Sequence, residues 1–302
     1  MCRQSFAGAG ELMAATPVIT SGEGLWDLST VAGLLVAILG VMGGLLLEGG
    51  RVGDVVQLTA ALIVLGGTAG AVMVTTPSAL FVAAMKRVPC IFWHRPSSAD
   101  RAKNAVLLFA AQSRKTGIAS LEPQLKLIDN AFLRKALGLS VDGADSKTVR
   151  SIMQLELDAA EERGEAIAGV FESAGGYAPT IGILGAVLGL IQVMKHLGDI
   201  EAVGHGIAVA FVATVYGVSV ANLVLLPIAN KLRSRLSDEL RWKELVLEGI
   251  SAMTEGLHPW LIESKLEAFR DTQTEALVKS GSGRARRTAA VRDETGKKSA
   301  AA

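Results

Sequence analysis

The chain has 302 residues, half of them hydrophobic but only 5% aromatic, and a formal net charge of +1. That near-neutral balance excludes the broad basic field of a nucleic-acid binder, and two cysteines, Cys2 and Cys90, are too few for a disulfide framework or a metal knot. The aliphatic excess is gathered into long uncharged stretches, the mark of a chain that uses a bilayer as solvent.

The first 20 residues, MCRQSFAGAGELMAATPVIT, lack a basic start followed by an apolar core. No cleavable signal peptide is expected, and residues 1–26 read as an extension without regular structure. Leu28 to Leu47 then carries no charge. About 20 helical residues, rising about 1.5 Å each, cross a hydrocarbon layer of roughly 30 Å. A second uncharged run, Val55 to Val74, follows the short EGGRVGD; a third spans Ser173 to Met194, and a fourth, Ala202 to Asn230, is interrupted only by His205. KHLGDIE separates the last two. Helix is the state that pairs every amide in lipid, so the sequence predicts an all-α membrane protein. Its four transmembrane helices form two hairpins and are joined to a helical cytoplasmic domain.

Orientation follows from Lys and Arg. Lys86, Arg87, Arg95, Arg101, Lys103 and Arg114 lie between spans two and three, and Lys231, Arg233, Arg235, Arg241 and Lys243 follow span four. The short connections hold only Arg51 and Lys195. The excess of positive charge places the long segment, the tail and both termini in the cytoplasm. Leu232, Leu236, Leu240, Leu247 and Ile250 recur at helical spacing, and Ser151 to Val170 is rich in Glu and Ala, so each segment extends its neighbouring span. The expected organisation is an extension (1–26), a transmembrane hairpin (27–76), a cytoplasmic segment (77–170), a second hairpin (171–230), a cytoplasmic helical tail (231–279) and a basic, disordered end (280–302).

None of the four spans contains Asp, Glu, Lys or Arg. Ionisable groups at mid-membrane are the usual relay points of ion pathways, so this chain offers no titrating acceptor by itself. Either a partner helix brings the carboxylate, or the chain is a non-conducting scaffold. Gly182, Gly185 and Gly189 share one helical face, as do Gly66, Gly67 and Gly70, a spacing that lets helix backbones approach closely. Pro179 and Pro227 sit near the cytoplasmic ends of spans three and four and read either as hinges or as tolerated membrane prolines. Thr180 and Thr214 are the polar groups of interest, although membrane threonines most often bond their own backbone. His94, His196, His205 and His258 form no ligand-spaced set, and no nucleophile is marked. Neither an enzyme nor a cofactor is expected.

Residues 175 to 233, GGYAPTIGILGAVLGLIQVMKHLGDIEAVGHGIAVAFVATVYGVSVANLVLLPIANKLR, resemble the signature region of the flagellar stator subunit family MotA/PomA. DLSTVAGLLVAILGVMGGLLLEGG and GGTAGAVMVTTP resemble that family's N-terminal hairpin, and GLHPWLIESKLEAF its tail motif, with His258 where the family commonly has Asn. The resemblance covers roughly residues 27 to 270. It implies a ring of these subunits around a dimer of a single-span MotB/PomB-type partner that supplies the ion-binding Asp, in the bacterial inner membrane. It implies that ion passage turns the ring, whose cytoplasmic face (within 77–170) pushes the rotor protein FliG. The family's rotor-contacting charges fall on Arg114 and Glu122, where the bland reading is a solvated helix face. Its two functional prolines fall on Pro179 and Pro227, and its span-four threonine on Thr214. Sodium-driven members carry Thr where Ala186 stands and proton-driven ones tend to carry Ala, so the resemblance leans towards protons, with sodium as the alternative. The related TolQ/ExbB energising subunits have three spans in a different order, which makes them the nearest competing reading.

Overall fold

The computed structural model describes residues 25–94 and 99–269. The expectations for residues 1–24 and for 280–302 therefore lie outside the described residues. Helix α1 (Leu28–Leu47) starts where the Asp27 carboxylate accepts the Thr30 backbone N–H, and a short α2 (Val52–Val55) follows. Helix α3 covers Leu58–Thr75, α4 Ser78–Arg87, α5 Ala99–Thr116, α6 Glu122–Leu125 and α7 Ala131–Val141. Two long helices complete the order, α8 (Ser146–Lys195) and α9 (Ile200–Thr254), and α10 occupies 259–269. Strands β1 (Leu25–Trp26) and β2 (Trp93–His94) pair antiparallel, so the last two residues of the presumed extension are ordered.

α1, α3, α8 and α9 are long and apolar enough to cross a membrane. Expected spans three and four lie within the two longer helices. The segments Ser151–Val170 and 231–250 continue those helices without a break. The second span differs from expectation, because its helix begins at Leu58 and not at Val55. The tertiary reason is a side chain from α9: the Tyr216 hydroxyl donates to the Val55 carbonyl at 2.7 Å and accepts the Gln57 N–H at 3.3 Å. Those two backbone groups are thus paired outside any helical ladder, as an apolar surrounding requires.

The described chain divides into two compact units, one of residues 25–94 and 158–240, the other of 99–157 and 241–269. In the first, α8 and α9 pack along a seam of small residues. A Cβ on Gly182 would lie 2.9 Å from the Ala213 carbonyl oxygen, one on Gly189 2.8 Å from that of Gly206, and one on Gly217 2.6 Å from that of Ala178. Glycine on both helices is therefore what permits this backbone approach. Of the other expected glycine face, only Gly67 meets a neighbour, Ile181, while Gly66 and Gly70 face open space. α3 instead joins the seam through Ala60 and Val64, which pack with Val212 and Ala213. A further cluster gathers Val72, Ala84, Ile167, Phe171 and Ala229. α1 buries none of its residues. The outward faces of α8 and α9 present Ile183, Val187, Ile191, Phe211, Val215 and Val218, a surface suited to lipid or to another apolar helix.

π-Helical turns interrupt α3 at Leu62–Gly66 and α9 at Val220–Leu225. The second ends two residues before Pro227, whose ring excludes a normal bond to the carbonyl four residues back. A widened turn accommodates that missing donor.

In the second unit, α10 buries Ile262 and Leu266, and Gly249 of α9 leaves room for Val106 and Leu266. Lys103 pairs with Glu263 and Glu267, and Glu248 with both Arg150 and Lys265.

Gly217→Ala is expected to lower the stability of the detergent-solubilised protein by about 1–3 kcal/mol, because its methyl would overpack the seam. Gly176→Ala, whose added methyl meets nothing within 4 Å, should leave stability unchanged or slightly raised. Thermal unfolding followed by circular dichroism separates the two; identical midpoints would contradict the seam.

Candidate functional site

The residues expected to line an ion path lie on the α8–α9 hairpin. Gly185 faces Ala213 across the seam, and Ala186 and Thr214 follow these two by one residue on antiparallel helices, so their levels differ by only about 3 Å; each is half-buried. Thr180 is exposed and lies six residues earlier on α8, about 9 Å along the axis. The Thr214 hydroxyl donates to the Ala210 carbonyl at 3.2 Å and that of Thr180 to Tyr177 at 2.8 Å. Both therefore bond their own backbone, as threonines in apolar helices do. Each hydroxyl oxygen keeps lone pairs with which it can accept a proton donor or contact a cation.

Gly175 packs against Leu226, which sets Pro227 at the level of residue 175, about one helical turn from Pro179. The two prolines thus occupy neighbouring levels of the same helix pair. Both helices remain continuous through them.

Arg114 lies in the last turn of α5 and Glu122 begins α6, both exposed. Gly117, at φ +85°, makes the turn between them. Two side-chain bonds fasten the connection, Gln124 Nε2 to Gln112 Oε1 at 2.8 Å and Thr116 to Ser120 at 2.6 Å. Arg114 Nη1 also donates to the Gly256 carbonyl at 3.1 Å.

A charged cluster not expected from the sequence surrounds Asp27. Its carboxylate accepts Lys231 Nζ at 2.6 Å, Ser29 Oγ at 2.6 Å and Arg235 Nη2 at 3.2 Å, while Arg235 also reaches the Ile91 carbonyl at 2.6 Å. The Asp27 N–H donates to Phe92 O at 3.0 Å. The start of α1, the turn at residue 91 and α9 are thereby tied at one point. Chiefly the Lys231 ammonium, with Ser29 and Arg235 against the opposing effect of burial, holds the Asp27 carboxyl far below the usual carboxylate range. The available sequence signal was a lone carboxylate capping an uncharged run. Nearby, Arg233 pairs with Glu165 at 2.9 Å and with Glu172, whose carboxyl it holds below the ordinary value. Among the described residues no cluster of His, Cys, Asp and Glu is arranged to hold a metal ion.

Comparison with known proteins accounts for this arrangement. The MotA/TolQ/ExbB proton channel family matches residues 124–244, and the motility protein A N-terminal family matches 31–116. The chain is 34% identical over 245 residues to motility protein A of Bacillus subtilis, covering 80% of this chain and 89% of the relative. This chain belongs to the MotA/PomA family of flagellar stator subunits. PomA of Vibrio alginolyticus is 32% identical over 251 residues, covering 83% of this chain and 98% of that one. The solved structure of C. jejuni MotAB matches with a TM-score of 0.76 at 31% identity, over 80% of this chain and 95% of its counterpart. The MotA/PomA assignment and the four apolar helices make this a multi-pass protein of the inner membrane and an ion-channel subunit rather than an enzyme.

Asp27→Asn is expected to cost about 1–3 kcal/mol, since it leaves two half-buried cations without their anion. A depressed carboxyl pKa stabilises the folded state fully above the unfolded value of about 4, and that contribution is lost as pH falls through the folded one. The gap in thermal midpoint between wild type and Asp27→Asn should therefore stay constant from neutral pH to about 5 and shrink below about 4. A gap independent of pH throughout would rule out the charge pairing.

Proposed function

We propose that this stator subunit conducts protons only together with a single-span MotB/PomB-type partner that supplies the titrating Asp, and that a ring of these subunits converts the flux into torque on FliG. The observation that carries the reading is the lack of Asp, Glu, Lys and Arg in all four uncharged runs, Leu28–Leu47, Val55–Val74, Ser173–Met194 and Ala202–Asn230. A path for protons through hydrocarbon needs an ionisable relay, and here it must come from another chain. The C. jejuni and B. subtilis relatives are solved as MotAB assemblies, which supports a partner of that kind. The TolQ/ExbB reading is not favoured, because the relatives matched over about four-fifths of this chain are motility proteins.

In this reading both termini face the cytoplasm, Ala186, Thr214 and Thr180 line the side on which the partner's carboxylate sits, and Pro179 and Pro227 transmit the strain of its protonation. Arg114 and Glu122 make the rotor contact. One charge falling through 100 mV releases about 2.3 kcal/mol, roughly four times RT, enough to bias a step of helix against helix. Ala186 presents a methyl where sodium would need an oxygen ligand, which favours protons.

Vesicles holding this chain alone should pass protons no faster than empty ones, and addition of the partner should raise the flux severalfold. Equal flux with and without the partner would overturn the proposal. Swimming speed of the wild type should not depend on sodium concentration; a speed that rises and saturates with sodium would reassign the coupling ion.

A further inference from the structure

We propose that the turn 256–260 and the start of α10 belong to the rotor-contacting surface, with Trp260 as its apolar anchor; this rests on the stator reading above. α9 ends in a left-handed glycine, Gly256 at φ +76°, whose N–H donates to Met253 O while that of Leu257 donates to Ala252 O. This pair of bonds satisfies the last carbonyls of the helix and fixes the direction in which the chain leaves. His258 then fixes the entry to α10. Its ring Nδ1 accepts the Trp260 N–H at 3.3 Å, and its carbonyl accepts those of Leu261 and Ile262 at 2.8 and 3.1 Å. Pro259 fits the first helical position, where no N–H is needed.

This turn is held to the rotor-contacting segment by the bond from Arg114 Nη1 to the Gly256 carbonyl. Two stretches more than 140 residues apart are therefore one surface. Below it, α10 is anchored by buried Ile262 and Leu266. Above it, Trp260 is 68% exposed and Leu261 45%. A large exposed indole on a capped helix start, four residues after the carbonyl that Arg114 holds, is the composition of an interface anchor rather than of a solvated face. The patch carries both signs, with Arg114 and Lys115 exposed at the end of α5 and Glu122 and Glu255 exposed at the two turns. The occupant it fits is a helical face of mixed charge with an apolar recess. The continuity with Arg114 assigns that face to the rotor protein and not to a second copy of this chain.

The experiment uses the full chain with its partner in motile cells. Trp260→Ala should weaken rotor binding about tenfold or more and lower torque correspondingly, with proton flux and partner co-purification unchanged, while Trp260→Phe keeps most of the torque. A photo-crosslinking amino acid at position 260 should form an adduct with the rotor protein, as one at 114 does. An adduct only with another copy of this chain, or full torque in Trp260→Ala, would overturn the proposal while the adduct from 114 leaves the stator reading standing. Failure of both positions to reach the rotor would remove both.

Discussion

Hydrocarbon cannot hydrogen-bond a peptide group, and the rest of the structure depends on that restriction. It makes helix the only economical state for the four uncharged runs, and it removes the hydrophobic driving force that would press one helix on another in water. What remains is close contact of backbones. The α8–α9 seam supplies it through Gly182, Gly189, Gly206 and Gly217, each placed where a side chain would strike backbone or small neighbouring atoms. Where helix fails within the expected second span, between Val55 and Leu58, the Tyr216 hydroxyl pairs the freed backbone groups.

Charge is kept out of the spans and gathered just beyond them. Asp27 binds Lys231 and Arg235 where α1 begins, and Glu165 and Glu172 bind Arg233 on the same turn of α9. The Asp27 carboxylate is largely shielded from water, so removing it strands its two cations. α1 has no buried residue along its length, and this polar point, the backbone bond from Asp27 to Phe92 and the β1–β2 pairing tie its start to the rest of its unit. Its apolar face is thus open to lipid or to another helix.

The two compact units are built differently. The α8–α9 seam is lined by small residues and by hydroxyls that bond their own backbone. The unit of residues 99–157 and 241–269 is held by ion pairs, as between Glu248, Arg150 and Lys265, and by the bond from Arg114 to the Gly256 carbonyl where α9 ends. α8 and α9 each contribute residues to both compact units.

Hydropathy and charge placement were enough to reveal four spans and the missing carboxylate, because each is a property of composition along the chain; the family showed in the resemblance of residues 175–233 to its signature region. The long-range pairings could not be read that way. Nothing local marks Tyr216 as the partner of residues 55 and 57, or explains why Gly67 meets a neighbour while Gly66 and Gly70 do not. Asp27 was not legible as an ion-pair centre, since its cations lie more than 200 residues downstream. Trp260 read only as part of a tail motif until folding brought Gly256 beneath Arg114. Sequence alone determined which segments must leave water, because the cost of burying polar groups is paid residue by residue. Tertiary structure decided which surfaces meet, because backbone approach and side-chain reach are settled only when distant segments compete for the same space.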